Sequence, residues 1–454
     1  MVADGKLNVD NYLTMVALED GMTVSFTTNK IQYSIDGSTK WNDLAVGAST
    51  PAINTGQVIS FKAEGLVPNS SSGIGTFSVS KNYDLKGNVM SMVYGDNADK
   101  MTELTNAYQF YRLFFGSKTL QTVSKDFVPA TTLSDYCYYL MFDGCSSLST
   151  TPNLPAMVMK DYCYACMFYG TNITSAPELP STTLAYGCYY AMFCDCKGLT
   201  TLPNLPARTL AERCYASMFQ QCRNLVNVPS DYLPVTKLEE QCYWQMFCYC
   251  DKLATLPNLP ATTLARSCYN GMFAHSFALT SIPNNYLPAT TLAIGCYQGM
   301  FYNCRALKTV PTNLLPATIL GGQRCYDGMF EDCVSLTNAP DLPATDMITN
   351  PCSWCYCRMF KGCISLTKAP VLPAKVLTTY CYQEMFKGCT KLNYIKMMAT
   401  QLNEGTSDWY TIDLCFENWV DGVASSGTFV KSSSNSWITR GVSGIPSGWT
   451  VQNA

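Results

Sequence analysis

Apolar residues recur along most of the chain at intervals of three and four. In one segment they are Leu133, Cys137, Met141, Cys145 and Leu148. This spacing places side chains on one face of an α-helix. The pattern therefore predicts a short helix of about three turns in each such segment.

The segment belongs to an internal repeat with the motif Cys-Tyr-x-x-Met-Phe. Successive copies are separated by 25 to 30 residues. The ten copies begin at Cys137, Cys163, Cys188, Cys214, Cys242, Cys268, Cys296, Cys325, Cys355 and Cys381. One copy cannot bury its apolar stripe alone, so neighbouring copies are expected to stack around one continuous core.

Each copy also carries signals that end a helix and limit a strand. The residue before the second Cys is Gly, Asn or Asp in seven of the ten copies, as at Gly144. These residues tolerate the left-handed conformation that ends a helix. Nine copies then carry two prolines, as at Pro203 and Pro206. Because proline cannot donate a ladder hydrogen bond, a strand of only about three or four residues is expected per copy.

Residues 1–95 lack the repeat and instead show strand and turn signals. Alternating segments such as 58–62 are separated by turn sequences rich in Asp, Asn, Ser and Gly, which predicts a β-sandwich-like domain. The repeats are assigned to residues 96–396 and a C-terminal cap to residues 397–454. Residues 96–132 are expected to form a degenerate first coil, in which 113–117 take the place of Met-Phe-x-Gly-Cys. The predicted fold class is an α/β solenoid of leucine-rich-type repeats, with a short strand and a short helix per coil.

Composition and charge exclude several classes of function. Charged residues make up 14% of the chain and the net charge is −3, whereas about 25% charged residues is typical. Without a basic stripe, nucleic acid is not expected as a partner. The sequence shows no recognisable secretory signal and no apolar run of about 18 residues, so membrane insertion is not expected either.

The 24 cysteines follow the repeat, and eight copies carry a second Cys eight residues after the first. In a helix these two residues would lie about 12 Å apart, beyond the Cα limit of about 7 Å for a disulfide. The cysteines are therefore interpreted as small buried residues with free thiols. Bridges between adjacent coils stay open, although helices would have to pack unusually close.

Few residues offer catalytic or metal chemistry. Cys163 and Cys166, like Cys352 and Cys355, have C-x-x-C spacing, but a structural zinc needs four converging ligands. The single histidine, His275, has no evident catalytic partner in the sequence. No catalytic residue, metal ligand or cofactor is assigned, and the chain is predicted not to be an enzyme.

Aromatic residues at variable positions of the repeat are the candidate binding residues. They are Tyr136, Tyr139, Tyr190, Trp244 and Trp354. Exposed Tyr and Trp stack on sugars and anchor protein interfaces. The alternative is that these side chains pack between repeats, and the sequence does not decide between the two.

The repeat resembles that of BspA-like leucine-rich proteins, in which the equivalent stretch is usually Ile-Gly-x-x-Ala-Phe-x-x-Cys-x-x-Leu. Phe142, Cys145 and Leu148 match that stretch, whereas the Met and the doubled Pro depart from it. The repeat is more similar to a variant common in proteins of gut Bacteroidota and their phages, and so are residues 424–431 and 444–451. The resemblance covers roughly residues 85–454.

This resemblance implies adhesion and surface recognition, and for phage members a place in the virion. The expected function is a non-enzymatic phage virion structural protein that displays the repeats for host-surface recognition or adhesion. The alternative is a bacterial cell-surface adhesin of the BspA-like type. In the first case residues 1–95 would dock on other virion proteins, and a host-surface glycan or protein would be the ligand. A homotrimer would be compatible with a virion fibre. Analogy of fold carries weight here because the repeat offers no chemistry of its own.

Overall fold

A computed structural model describes the chain as two compact units, Met1–Asn224 and Leu225–Ala454. The residues that it describes are 6–345, 347, 352–400, 414–435 and 437–454. Each unit contains several copies of the repeat, so the packing of one copy on the next can be followed within each unit separately.

The first unit begins with two β-sheets. Its strands are β1 (Leu13–Ala17), β2 (Val24–Phe26), β3 (Ile31–Ile35), β4 (Asn42–Leu44), β5 (Val58–Lys62), β6 (Phe77–Val79), β7 (Tyr83–Gly87) and β8 (Leu120–Val123). The larger sheet has the order β4-β3-β5-β1-β7-β8, and β2 pairs with β6 in a second sheet. A single turn of α-helix, α1 (Ser91–Tyr94), follows β7, and 3₁₀-helices lie at Val9–Asn11 and Gly95–Lys100.

Two features join this N-terminal region to the first repeat. Strand β8 belongs to the repeats, yet it pairs in parallel with β7. The ring of Phe77, in β6, lies 5.0 Å from the ring of Phe61 and 5.6 Å from that of Phe114 in the first repeat. The aromatic core of the sheets therefore continues directly into the core of the repeats.

The predicted helix in each repeat is wrong. Within the residues that the structure describes, the Cys-Tyr-x-x-Met-Phe segments form overlapping turns instead. Every second N–H donates to the carbonyl three residues back: Cys137 to Ser134 at 3.4 Å, and Tyr139 to Tyr136 at 3.2 Å. An α-helix would use the carbonyl four residues back at every position.

The remaining N–H groups donate to the next repeat. Tyr138 N–H donates to Cys163 O at 3.0 Å, and Phe142 N–H donates to Met167 O at 3.0 Å. We call each such segment a turn ribbon. In the first unit the ribbons are residues 108–117, 134–145, 160–171, 185–196 and 211–222. In the second unit they are residues 239–250, 265–276, 293–304, 322–333, 352–363, 378–389 and 414–423. Because successive N–H groups alternate between a carbonyl of their own repeat and one of the next repeat, the backbone groups are hydrogen-bonded without an α-helix.

The backbone of the ribbon enters the left-handed region at every fourth residue. In the first full copy these residues are Tyr136, Leu140 and Gly144, with φ of 57°, 58° and 72°. All ten copies of the motif have positive φ at the three equivalent positions. The left-handed residue predicted before the second Cys is therefore confirmed, although it closes a turn rather than a helix.

Stacking of equivalent side chains forms the core. The ring of Phe142 lies between those of Phe114 and Phe168, with centroids 5.5 and 5.6 Å away and planes within 9° of parallel. In the second unit the ring of Phe360 lies in the same way between Phe330 and Phe386. Phe142 is fully buried. The predicted core of stacked repeats is thus present within each unit.

All 24 cysteines are buried. The thiol of the second Cys of a repeat commonly donates to the carbonyl of the Phe in the preceding repeat. Cys145 donates to Phe114 O at 3.1 Å, and Cys389 donates to Phe360 O at 3.0 Å. The separation of about 12 Å that was expected between the two cysteines of one copy assumed a helix, so it does not apply to a turn ribbon. The interpretation of Cys145 and Cys389 as buried thiols nevertheless holds.

Strands are shorter than expected in most repeats that carry the two prolines. There the parallel pairing shrinks to single bridges, such as Ser175 with Thr201 and Ser281 with Thr309. A four-stranded parallel sheet forms only near the C-terminus of the described chain, in the order β12-β11-β10-β9. Its strands are β9 (Lys368–Leu372), β10 (Tyr394–Met397), β11 (Thr428–Lys431) and β12 (Thr450–Asn453). The last three contain no proline, which favours longer ladders. Strand β9 contains Pro370, and its register with β10 shifts at that point.

We expect Phe142→Ala to lower the free energy of unfolding by about 3–5 kcal/mol, because it removes a fully buried ring. Phe115→Ala is the matched control: this ring is 42% exposed, and its loss should cost less than about 1 kcal/mol. Urea denaturation of the two variants measures the difference. Equal effects would contradict a core built from the stacked phenylalanines.

Candidate binding surface

Three tyrosines stack on one another along the surface of the first unit. The ring of Tyr136 lies between those of Tyr108 and Tyr162, with centroids 4.6 and 5.1 Å away. All three side chains are half-buried. We call these three residues the tyrosine row.

Each member of the row occupies a strained backbone position. Tyr108, Tyr136 and Tyr162 have φ of 61°, 57° and 53°, a region that costs a bulky residue about 1–2 kcal/mol. Gly187 and Gly295 fill the equivalent position in two other repeats, where no such strain arises. Elsewhere the position holds residues such as Arg213, Gln241 and Ser267, also at positive φ, so the strain belongs to the ribbon and not to the tyrosines alone. Stacking of aromatic rings contributes about 0.5–1.5 kcal/mol per pair, which at best offsets the strain.

Further tyrosines widen the row into a surface. Tyr139 stacks on Tyr111 at 5.5 Å and meets the edge of Tyr136 at 5.8 Å. Tyr190 meets Tyr162 edge-on at 6.4 Å. Three of the five predicted residues, Tyr136, Tyr139 and Tyr190, are thus brought together. Tyr139 and Tyr190 also pack on a small buried cluster that includes Leu140 and Cys166.

Tyr186 lies next to Tyr162, beyond the C-terminal end of the row. Its ring meets that of Tyr162 at 5.2 Å and 68°, and the guanidinium of Arg213 lies 5.7 Å from the Tyr186 ring. We call the whole group the tyrosine surface; it consists of Tyr108, Tyr111, Tyr136, Tyr139, Tyr162, Tyr186 and Tyr190. Both faces of the Tyr136 ring are covered by neighbours, so this ring offers a ligand its edge and its hydroxyl group.

Two exposed aspartates flank the row and brace the backbone. The carboxylate of Asp135 accepts a hydrogen bond from the N–H of Asp161 at 3.2 Å, and that of Asp161 accepts one from the N–H of Tyr186 at 3.1 Å. Burial, followed by the neighbouring tyrosines and aspartates, raises the pKa of Tyr136. Burial likewise raises the pKa of Tyr139 to about 12. The phenols are therefore neutral hydrogen-bond donors near neutral pH.

The two predicted tryptophans lie in the second unit. The ring of Trp354 stacks on that of Tyr380 at 4.6 Å, and the guanidinium of Arg324 lies 4.9 Å from the Trp354 ring. Trp354 and Tyr380 again occupy positive-φ positions equivalent to that of Tyr136. Trp244 is half-buried, and among the described residues no ring contact joins it to Trp354.

Sequence reasoning missed Tyr108, Tyr111, Tyr162 and Tyr186. A signal for part of the row was present, because the residue directly before the first Cys of a copy is aromatic at Tyr136 and Tyr162. The others lie in the degenerate first copy or one residue earlier in a copy. Recognising them as neighbours requires the register of one repeat on the next.

His275 has a packing role in the second unit. Its ring stacks on Tyr249 at 3.8 Å, and its Nδ1 lies 2.9 Å from the side-chain nitrogen of Asn303. Burial and the nearby Arg305 lower its pKa. Its φ of 62° places it at a left-handed position of the ribbon. The backbone position, the stacked ring and the contact with Asn303 together give this histidine a structural role.

Among the residues that the structure describes, no group of three or more His, Cys, Asp or Glu side chains could hold a metal ion. In the first C-x-x-C pair, the thiol of Cys163 lies 3.8 Å from the sulfur of Met159, and Cys166 packs in the cluster beneath the tyrosine surface.

In the part of the chain described, no helix is long and apolar enough to cross a membrane.

Asp143 makes the first unit sensitive to pH. Burial raises the pKa of this carboxyl to about 6, against the opposing effect of Arg112. Because the folded state holds the proton more tightly than the unfolded state, stability falls as the pH rises from about 4 to about 6. We therefore expect Asp143→Asn to melt a few degrees higher than the parent protein at pH 8 and at the same temperature at pH 4.

Asp126→Asn, at an exposed carboxylate, is the control for the loss of one negative charge. Thermal melts of the three proteins at both pH values provide the test. The explanation fails if Asp143→Asn retains the full pH dependence of the parent between these values.

Comparison with known proteins agrees with the geometry of the repeats. A family model described as the BspA type leucine-rich repeat region matches in six copies, over residues 159–308 and 269–404. Together the matches run from 159 to 404, which is 246 of the 454 residues. No curated protein and no solved structure shows significant similarity to the chain. The chain therefore belongs to the family of proteins with BspA-type leucine-rich repeats.

Proposed function

We propose that the protein is a non-enzymatic recognition scaffold that binds a ligand on a cell surface through the tyrosine surface. The family suggests adhesion or display at a surface. The observation that supports the proposal is the tyrosine row, in which three half-buried rings stack on one another at the surface of the first unit. Tyrosine is enriched at binding interfaces, especially among the residues that contribute most to affinity.

In this proposal the repeats work as a solenoid scaffold. Each repeat adds one rung of backbone hydrogen bonds and places one residue at the equivalent point of the surface. The rings of the row lie 4.6 and 5.1 Å apart, so the binding groups are fixed by the backbone rather than by flexible loops. A site held in advance loses little conformational entropy on binding.

The finer proposal is a structural protein of a phage virion, located in the particle. The resemblance to repeats common in Bacteroidota phages supports it. The N-terminal region would dock on other virion proteins. The parallel pairing of β7 with β8 ties that region to the first repeat, so a docked N-terminal region would hold the repeats at a fixed orientation. The alternative is a bacterial cell-surface adhesin of the BspA type.

The ligand would be a host-surface glycan or protein. The covered faces of the Tyr136 ring favour contact through ring edges and hydroxyl groups over stacking of a sugar on the ring face. Hydroxyl and amide groups of either ligand class would satisfy such contacts. Neither nucleic acid nor membrane lipid is part of the proposal, because the chain has a net charge of −3.

We expect Tyr136→Gly combined with Tyr162→Gly to weaken binding to intact Bacteroidota host cells at least tenfold. Glycine removes the rings and relieves backbone strain, so the repeats should stay folded. Tyr380→Gly, which changes an equivalent position with φ of 58° in the second unit, is the matched control and should bind as the parent does. Flow cytometry with the labelled protein measures binding.

Treating the cells with periodate or with protease beforehand distinguishes a glycan ligand from a protein ligand. The proposed site is wrong if the double variant binds as tightly as the parent protein.

Immunogold electron microscopy of phage particles tests the proposed location. We expect an antibody against the repeats to label intact virions, and the gene to lie beside capsid and tail genes. Labelling of the bacterial envelope in uninfected cells would instead support the adhesin alternative. Labelling of neither would overturn both locations.

A further inference from the structure

Two buried cysteines in adjacent copies of the turn ribbon face each other in the second unit. The sulfur atoms of Cys381 and Cys415 are 2.9 Å apart. This separation exceeds the length of a disulfide bond, about 2.05 Å, by less than about 1 Å. Both residues are buried, with 0% and 3% of their surface exposed. We propose that Cys381 and Cys415 form an oxidative cross-link that ties the last turn ribbon to the one before it.

The backbone geometry is suitable for such a cross-link. Tyr382 N–H donates to Cys415 O at 3.2 Å, so the two cysteines lie on directly facing positions of adjacent ribbons. Backbones joined in this way are spaced by about 4.8 Å, as in a sheet. Disulfides require Cα separations of about 4.4–6.8 Å. Helices would have kept adjacent repeats about 8–10 Å apart, so only the turn ribbon makes this pairing feasible.

Cysteines at the same position of the preceding repeats share this register. Cys355 faces Cys381 in the same way, through a hydrogen bond from Tyr356 N–H to Cys381 O at 3.1 Å. Its thiol, however, donates to Gly322 O at 3.2 Å. The thiol of Cys325 likewise donates to Gly322 O, at 3.0 Å. The thiol of Cys325 also interacts with those of Cys296 and Cys355, so close thiols recur at this position. For Cys381 and Cys415 the two sulfur atoms themselves are 2.9 Å apart.

The cross-link would act where the repeats end. Among the described residues, no further motif copy follows the ribbon at 414–423 to accept its N–H groups. Val420 N–H instead donates to Val442 O at 3.2 Å, and the Trp419 indole donates to Gly444 O at 2.8 Å. Terminal repeats are the first to open in stacked arrays. A covalent bond across 33 intervening residues would restrict that opening.

The chemistry is thiol–disulfide exchange with a low-molecular-weight disulfide such as oxidised glutathione. Because both thiols are buried in the closed fold, the exchange takes place when the terminal repeats open. One cysteine, as its thiolate, then attacks a sulfur of that disulfide, breaks the S–S bond and releases one small thiol. The second cysteine then attacks the protein sulfur of the mixed disulfide and releases the other small thiol. The two protein thiols lose two electrons, and their protons end on the two small thiols. Burial raises the pKa of the Cys381 thiol well above its ordinary value, so the exchange should be faster at higher pH.

Mass spectrometry of tryptic peptides tests the proposal on the full chain. Cys381 is the single cysteine of the tryptic peptide 376–387, and Cys415 is the single cysteine of 397–431. After incubation of the native protein with oxidised glutathione and blocking of the remaining thiols, we expect a disulfide between these two peptides in most molecules. Dithiothreitol should abolish it. Cross-links that join other peptides, mixed glutathione disulfides alone, or no cross-link would each overturn the proposal.

Thermal melts give an independent readout. The oxidised protein should melt higher than the reduced protein by about 5 °C or more. Cys389→Ala, which removes a nearby thiol bonded to Phe360 O, should keep this difference. Cys415→Ala should remove it. A difference that survives in Cys415→Ala would show that another pair is responsible. Because the peptide measurement uses the unmodified chain, it decides the question even if a variant does not fold.

Discussion

The alternation of backbone hydrogen bonds along the turn ribbon is the constraint on which the rest of the structure depends. One N–H closes a turn within its own repeat, and the next reaches the following repeat, as with Tyr139 and Tyr138. Adjacent repeats consequently lie at a spacing close to that of strands in a sheet. That spacing stacks each phenylalanine on its equivalents, with ring centroids 5.5–5.9 Å apart around Phe142 and Phe360. The tyrosine surface and the facing thiols of Cys381 and Cys415 follow from the same geometry.

The sequence predicted the composition of the core but not the path of its backbone. The residues Leu133, Cys137, Met141 and Cys145 are spaced by four, which approximates a helix yet is not its period. Four residues overshoot one helical turn by about 40°, so a strict spacing of four would drift around a helix. In the ribbon, four residues are one full period, marked by the left-handed residues Tyr136, Leu140 and Gly144. Tyr136 and Leu140 carry no signal of a left-handed backbone, because that signal is clear only for Gly, Asn and Asp.

The candidate site was predictable in kind and only partly in detail. Tyr136, Tyr139 and Tyr190 share one surface, whereas Trp354 lies in the second unit on Tyr380. The rings pack on one another and remain half-exposed at the same time, and their binding of a ligand stays a prediction. What the sequence could not provide is the register between repeats. The register decides that Tyr108, Tyr136 and Tyr162 form one row and that the faces of the middle ring are covered.

Circular dichroism in the far ultraviolet tests the turn ribbon most directly, because the ribbon and a helix in every repeat differ over much of the chain. The described residues contain one α-helix, Ser91–Tyr94. At neutral pH we expect the purified protein to give a spectrum without the double minimum of α-helix. A pronounced helical double minimum would contradict the ribbon, together with the spacing that the stacked rings and the facing thiols require.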